Sequence, residues 1–341
     1  MIPNRIQLSH GAGGTIMNDL IKEVILKRIS IRRVGSGIGL DELDDGATIP
    51  LNNKEIVVSG DAYTVSPIFF PGGDIGKLAV CGTINDLAVM GAKPIAMIDT
   101  IVVEEGFLIE DLKKIIDSMN EVIKEVGLAI VHGDFKVMPK GKLDGIIIST
   151  AGLGILYKGK PILDSGLRDG DKIIVSGPIG EHGIVIASLR EGISFKTNIL
   201  SDVAPLWELM KKAMDVGEIT AAKDPTRGGL AMALNEMASK SNVSIWINEE
   251  DIPINEEVRG ICEMLGLDPL ELACEGRVVM GVKNEYAEEV LEEIRTTKEG
   301  RNAKIIGCVK KERPGFVIME TVVGGKRVIN PPLGEPTPRI C

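Results

Sequence analysis

SGDAYTVSPIFFPGGDIGKLAVCGTINDLAVMGAKP, running from Ser59 to Pro94, packs glycines, carboxylates and one apolar helical pattern into a single stretch. Val57 and Val58 close a short apolar run, which predicts that Asp61 sits just past a strand end, where a loop presents its carboxylate. Pro71-Gly72-Gly73 then breaks the chain. Asp74 is a good N-cap for a helix through Leu78, Leu87 and Met90. That helix carries Asn85 and Asp86.

The segment PGGDIGK, Pro71 to Lys77, has the flavour of a phosphate loop but lacks its chemistry. Such a loop places a glycine four residues before Gly-Lys and a Ser or Thr after it, and here Leu78 follows Lys77. Without that hydroxyl there is no magnesium ligand, so a P-loop NTPase is excluded. Separated carboxylates offer another way to hold phosphate. Asp44, Asp45, Asp61, Asp86 and Asp134 all fall near predicted loops or element ends. Hard oxygen ligands of this kind suit magnesium that also binds substrate phosphates.

A chain of 341 residues points to two domains of roughly 150 residues each. Apolar residues make up 44% and aromatics only 3%, so the core is built from Ile, Val, Leu, Met and Ala. The formal charge of −10, with no sustained Lys/Arg block, argues against binding nucleic acid or an anionic membrane. Five cysteines without a CxxC pair suggest neither a disulfide framework nor a zinc site. No apolar run approaches the ~20 residues of a membrane span and no signal-peptide pattern opens the chain, so a cytoplasmic location is expected.

In chain order, the glycine-rich SHGAGGT (Ser9 to Thr15) leads into helical spacing from Met17 to Ile25. Those glycines are either turn punctuation or a close backbone approach to phosphate. A strand is predicted over Ile95–Val103, an amphipathic helix over 110–126, and a short strand over Leu128–Val131. This last strand delivers His132-Gly133-Asp134-Phe135-Lys136 at its end. After a glycine-rich joint at 156–170, Asp224-Pro225-Thr226-Arg227-Gly228-Gly229 precedes another helix, a natural place for an anion. The stretch NPPLGEPTPRIC, Asn330 to Cys341, has four prolines in twelve residues and is neither helix nor central strand. Semi-extended at about 3.1 Å per residue, it carries Cys341 on the order of 30 Å from the domain.

Four pieces together, SHGAGG (9–14), FFPGGDIGKLAVCGTINDLAVMGAKP (69–94), DPTRGGLAMALNE (224–236) and the tail PRIC (338–341), resemble the HypE family of hydrogenase maturation factors over nearly the whole chain. The wider superfamily includes aminoimidazole ribonucleotide (AIR) synthetase, also called PurM, thiamine-monophosphate kinase and selenophosphate synthetase. This resemblance implies an α+β, two-domain PurM/AIR synthetase-like fold. Residues 1–155 form an ATP-binding and dimerisation domain, 156–330 a second α/β domain, and 331–341 a flexible tail ending in the modified cysteine. It further implies a homodimer whose N-terminal sheets join in a barrel.

The resemblance also implies roles. Magnesium falls to Asp45, Asp61, Asp86 and Asp134. ATP is contacted by these together with Lys77, Asn85 and Gly133 from the N-terminal half, and by Asp224, Thr226, Arg227 and Gly228 from the C-terminal half. Cys341 carries a carbamoyl group placed there by the carbamoyltransferase HypF. Lys136 and Glu275 assist its ATP-dependent dehydration to a thiocyanate, and a HypC–HypD complex receives the cyanide. His132 to Val137 departs from the threonines that more usually flank Gly-Asp in the family, although Asp134 and Lys136 are kept. A small-molecule kinase of the superfamily and a nucleotide-regulated scaffold are the rival readings. Selenophosphate synthesis fits less well because the first cysteine is Cys81.

Overall fold

The computed structural model describes residues 5–52, 54–192, 199–334 and 339–341. Five strands form the N-terminal sheet: β1 (Ala47–Leu51), β2 (Lys54–Tyr63), β3 (Ala92–Glu104), β4 (Ala129–Met138) and β5 (Ile146–Leu156). Their order is β1-β2-β5-β3-β4, antiparallel except for the parallel β3–β4 pair. Burial alternates residue by residue along β5, as a strand with one covered face requires. A second sheet of seven strands follows, comprising β6 (Lys172–Val175), β7 (Ile219–Lys223), β8 (Ser244–Asn248), β9 (Val279–Val282), β10 (Lys304–Lys310), β11 (Val317–Glu320) and β12 (Lys326–Ile329). Its order is β12-β11-β8-β10-β6-β9-β7. The result is the expected two-domain α+β architecture.

Helix α1 spans Gly14–Leu20, and α2, Ile75–Val89, is the axle of the molecule. Asp74 starts α2 as predicted, its carboxylate accepting from Gly76 N–H (2.7 Å) and Lys77 N–H (3.0 Å). Thirteen of the fifteen residues of α2 are buried, because the sheet, α3 (Ile109–Val126) and the C-terminal domain's α5 (Trp207–Val216) surround it. A helix covered on all sides needs no polar face. Only Lys77 and Asp86 of α2 reach less enclosed surroundings. The second domain adds α4 (Glu181–Arg190), α6 (Gly229–Lys240), α7 (Glu256–Leu265) and α8 (Ala287–Ile294).

Two expectations change. Asp61 lies inside β2 rather than on a loop after it, paired across to Thr150 of β5. Asp134 and Lys136 lie inside β4, which continues to Met138 in parallel with β3 instead of ending at Val131. In both places polar residues interrupt the apolar run without ending the strand, because their backbone groups are paired to a neighbouring strand.

Asn85 on α2 ties the domains together. Its side-chain amide donates to Ala204 O (3.1 Å) and Glu275 O (3.2 Å), and its oxygen accepts from Leu206 N–H (2.8 Å). Removing it strands buried partners on the other domain, each costing about 1–3 kcal/mol. Asn85→Ala is therefore expected to lose about 2–4 kcal/mol in urea denaturation, and an unchanged midpoint would contradict this role.

Candidate functional site

The two domains meet around a cleft built from acids. Asp44 and Asp45 come from the loop before β1, Asp61 from β2, Asp86 from α2, Asp224 from the end of β7, and Glu275 from the segment before β9. Ser59 Oγ donates to Asp86 and lies 3.1 Å from Asp45 O. Thr83 Oγ1 lies 3.3 Å from Asp61 Oδ2 and 2.6 Å from Thr150 Oγ1. These hydroxyls fix the carboxylates without neutralising them.

Crowding in a dry place raises their proton affinity. Burial, then Asp164 and Asp45, push Asp44 up to about 7, and burial, then Asp45, push Asp224 to about 8. Burial, then Asp61, Asp224 and Asp45, hold Asp86 well above the usual carboxylate range. Glu275 is likewise raised well above its range by burial, then by Asp224 and Asp202, with Arg227 pulling the other way.

Cations answer part of this charge. Lys223 ion-pairs with Asp45 and lies 3.4 Å from Glu236 and 3.8 Å from Asp164, which outweigh its desolvation and keep it protonated. Lys240 pairs with Asp164 at 2.5 Å. Among the described residues, Asp45 Oδ2, Asp164 Oδ1 and Glu275 Oε1 are buried without a hydrogen-bond partner. An orphaned carboxylate oxygen beside raised carboxyls fits a hard divalent cation whose remaining ligands are phosphate and water oxygens. No three acids among the described residues already form a closed metal cage.

Apart from Cys341, the predicted site residues divide into four groups. Asp45, Asp61, Asp86, Asp224, Arg227 and Glu275 are neighbours in this cleft, linked by the interactions above. Thr226 and Gly228 form the turn into α6, with Gly228 at φ +82° as its N-cap. Lys77 donates to Gly72 O (2.9 Å), and the Asn85 amide is occupied by protein backbone. Gly133, Asp134 and Lys136 stand apart on β4, separated from β2 by β5 and β3, or about 14 Å at ordinary strand spacing. There Lys136 pairs with Asp134 at 2.8 Å in the open, which lowers the Asp134 pKa.

The end of the tail is in the cleft rather than extended from the domain. Glu335 to Pro338, including the first residue of PRIC, lie outside the described residues. Before them, Pro332 O and Leu333 O accept from Thr15 N–H (3.3 Å) and Ile16 N–H (3.4 Å) at the start of α1. A Cβ on Gly14 would come within 2.7 Å of Pro332, Leu333 and Gly334 backbone, so the glycines of SHGAGG admit the tail closely. After them, Cys341 O accepts from Thr64 N–H (3.0 Å) and Thr64 Oγ1 (3.2 Å). Cys341 is first among the groups that raise the Arg227 pKa, followed after desolvation by Asp61 and Glu275. The cysteine therefore shares the electrostatic environment of the carboxylates.

Several site residues were not read from the sequence. Lys223, Asp164 and Glu236 look like ordinary surface charges until the fold brings them together, with Asp164 buried and the other two partly covered. Asp202 caps the segment that carries Glu275, accepting from Glu275 N–H and Gly276 N–H at 3.2 Å. A Cβ on Gly276 would meet Asp202 O at 1.9 Å, which explains the glycine after Glu275.

The two domains match those of the AIR synthase related proteins. Their N-terminal domain matches residues 43–156 and their C-terminal domain residues 168–320. A hydrogenase expression/formation protein of Methanocaldococcus jannaschii is 57% identical over 338 residues, covering 99% of this chain and 100% of its own. The carbamoyl dehydratase HypE of Azotobacter vinelandii is 43% identical over 337 residues, covering 98% of this chain and 97% of its own. A solved HypE–HypF complex superposes with TM-score 0.85 at 44% identity, covering 92% of this chain and 99% of that one. HypE in complex with ATP superposes at 0.82 and 39% identity, covering 99% and 100%. The chain belongs to the AIR synthase related family and, within it, to the HypE hydrogenase maturation proteins.

The raised carboxyls make a pH prediction. A carboxyl whose folded pKa is raised contributes stability that is full below its unfolded value of about 4 and lost as pH rises through the folded value. For Asp44 and Asp224 that loss runs from about 4 up to about 7 and about 8. The ligand-free protein is expected to melt lower at about pH 8.5 than at about pH 6, and Asp224→Asn to flatten the difference. Parallel pH profiles for the two proteins would refute the assignment.

Proposed function

We propose that the chain is an ATP-dependent carbamoyl dehydratase that acts on its own Cys341. The observation that carries this reading is the tail itself, bound through Thr64 with Cys341 beside Arg227 and the buried carboxylates. A kinase for a free small molecule has no use for its own cysteine in this place.

HypF transfers a carbamoyl group to the Cys341 sulfur, as the HypE–HypF complex of a relative suggests. The carboxamide oxygen is a poor leaving group, so the γ-phosphoryl group of ATP is transferred to it as the bond to the β-phosphate breaks and ADP leaves. Nitrogen then loses its protons, the C–O bond breaks with release of phosphate, and the sulfur is left carrying a nitrile as thiocyanate. Glu275 takes a proton from nitrogen. Its buried, raised carboxyl is a stronger base than an exposed one once ionised. Arg227 stabilises the negative charge on the non-bridging oxygens of the transferred phosphoryl group.

Asp45, Asp61 and Asp86 would hold magnesium, which when bound offsets triphosphate charge. Asp134 and Lys136 require a second subunit. Strand β4 is an uncovered sheet edge with Val131, Phe135 and Val137 about half exposed or more, an apolar edge of the kind that proteins normally cover. A homodimer joining two N-terminal sheets there covers it and brings Asp134 and Lys136 into the assembled site, where the Lys136 ammonium stabilises charge developing on phosphate. The product is handed to HypC–HypD for the iron of a nascent hydrogenase. Chemistry of this kind, with a reduced thiol, suits the cytoplasm, and no helix among the described residues is long and apolar enough to cross a membrane.

Glu275→Gln is expected to keep ATP binding and to slow thiocyanate formation by about 10²–10⁴-fold, the usual worth of a general base. Unchanged product formation would remove Glu275 from the mechanism.

A further inference from the structure

We propose that His182 is a positioning residue for the reacting tail, gripping it at the Ile340 carbonyl while the Ile340 side chain plugs the core. Nothing in the chemistry above uses this histidine. His182 sits on the first turn of α4, fully buried, with Nε2 2.9 Å from Ile340 O and Nδ1 2.8 Å from Ser201 Oγ. A carbonyl oxygen only accepts, so Nε2 carries the proton. In the neutral ring Nδ1 then accepts from the Ser201 hydroxyl. Ser201 is itself fixed, its N–H donating to Pro71 O (2.8 Å) and its Oγ accepting from Val203 N–H (3.2 Å). The tautomer that holds the tail is therefore set by a chain of bonds ending in the Pro71-Gly72-Gly73 turn. Phe70, next to that turn, stacks edge-on against the ring at 5.3 Å.

Around this grip the tail is read by its backbone from both domains. Arg190, also on α4, donates to Arg339 O (2.5 Å) and to Ser66 O (2.6 Å) of the N-terminal domain. Arg339 donates to Thr64 O (3.0 Å) and pairs with Asp144 at 2.5 Å. Ile340 is 1% exposed and belongs to the main hydrophobic cluster, whereas Cys341 is only half-buried. Thus the residue before the cysteine carries the anchoring and leaves the thiol to the site. Backbone contacts, the Arg339 side chain and one apolar plug fix the backbone that carries the sulfur.

This inference rests on reading Cys341 as the reacting group, but its test needs neither carbamoyl donor nor ATP. The full-length protein is treated with iodoacetamide, and alkylation of each cysteine is followed by peptide mass spectrometry. Cys81 and Cys274, both fully buried, report global opening. In His182→Ala, Cys341 is expected to react about tenfold faster than in the wild type, the scale of one lost hydrogen bond, with Cys81 and Cys274 still protected. His182→Gln, which keeps a donor near Nε2, is expected to restore most of the protection. A wild-type rate at Cys341 in His182→Ala would overturn the proposal. Should Cys81 and Cys274 also react in that variant, Ile340→Ala replaces it, leaving the receptor intact. The same tenfold rise is expected there, and its absence overturns the proposal equally.

Discussion

Too many carboxylates share one poorly hydrated cleft, and much of the architecture answers that constraint. Like charges a few ångströms apart in low dielectric cannot all ionise. Lys223, held among Asp45, Glu236 and Asp164, offsets part of the charge from within. Raised proton affinity at Asp44, Asp86, Asp224 and Glu275 absorbs more. What remains is a cleft that gains stability when a cation or a cationic complex enters it. Binding and folding thus draw on the same charges.

The tail fits into this field from the opposite direction. It is attached by hydrogen bonds to its backbone, by the Arg339 side chain and by the buried Ile340 side chain. A docked end held by several modest contacts from two domains can also be released as those contacts are lost together. The proline-rich approach restricts the conformations available to the released chain and so limits the entropy lost on each return. The N-terminal glycines contribute in an unexpected way. Gly14 makes room for the tail backbone.

Much of the frame was legible in the sequence. The break at Pro71-Gly72-Gly73, the Asp74 cap and the long apolar helix α2 follow from local rules. The amphipathic spacing of residues 110–126 gave α3 almost to the residue. Asp61 and Asp134 were misplaced onto loops because a polar run inside a strand looks like a turn when the pairing strand is distant in sequence. Lys223, Asp164 and Asp202 were invisible for a related reason, since buried and solvated charges are written with the same letters. Periodicity could not assign Lys136, Glu275 and Cys341; only the family resemblance did. The single chain leaves Lys136 on an exposed edge that a second subunit is proposed to cover.

The central claim is that Cys341 is a substrate held inside its own enzyme. Its most direct test is mass spectrometry of the tail peptide after incubation with HypF and carbamoyl phosphate, before and after adding MgATP. The account predicts a carbamoyl adduct on Cys341 that loses one water only when MgATP is present. A tail that stays unmodified beside an active carbamoyltransferase, or an adduct that MgATP leaves unchanged, would contradict it.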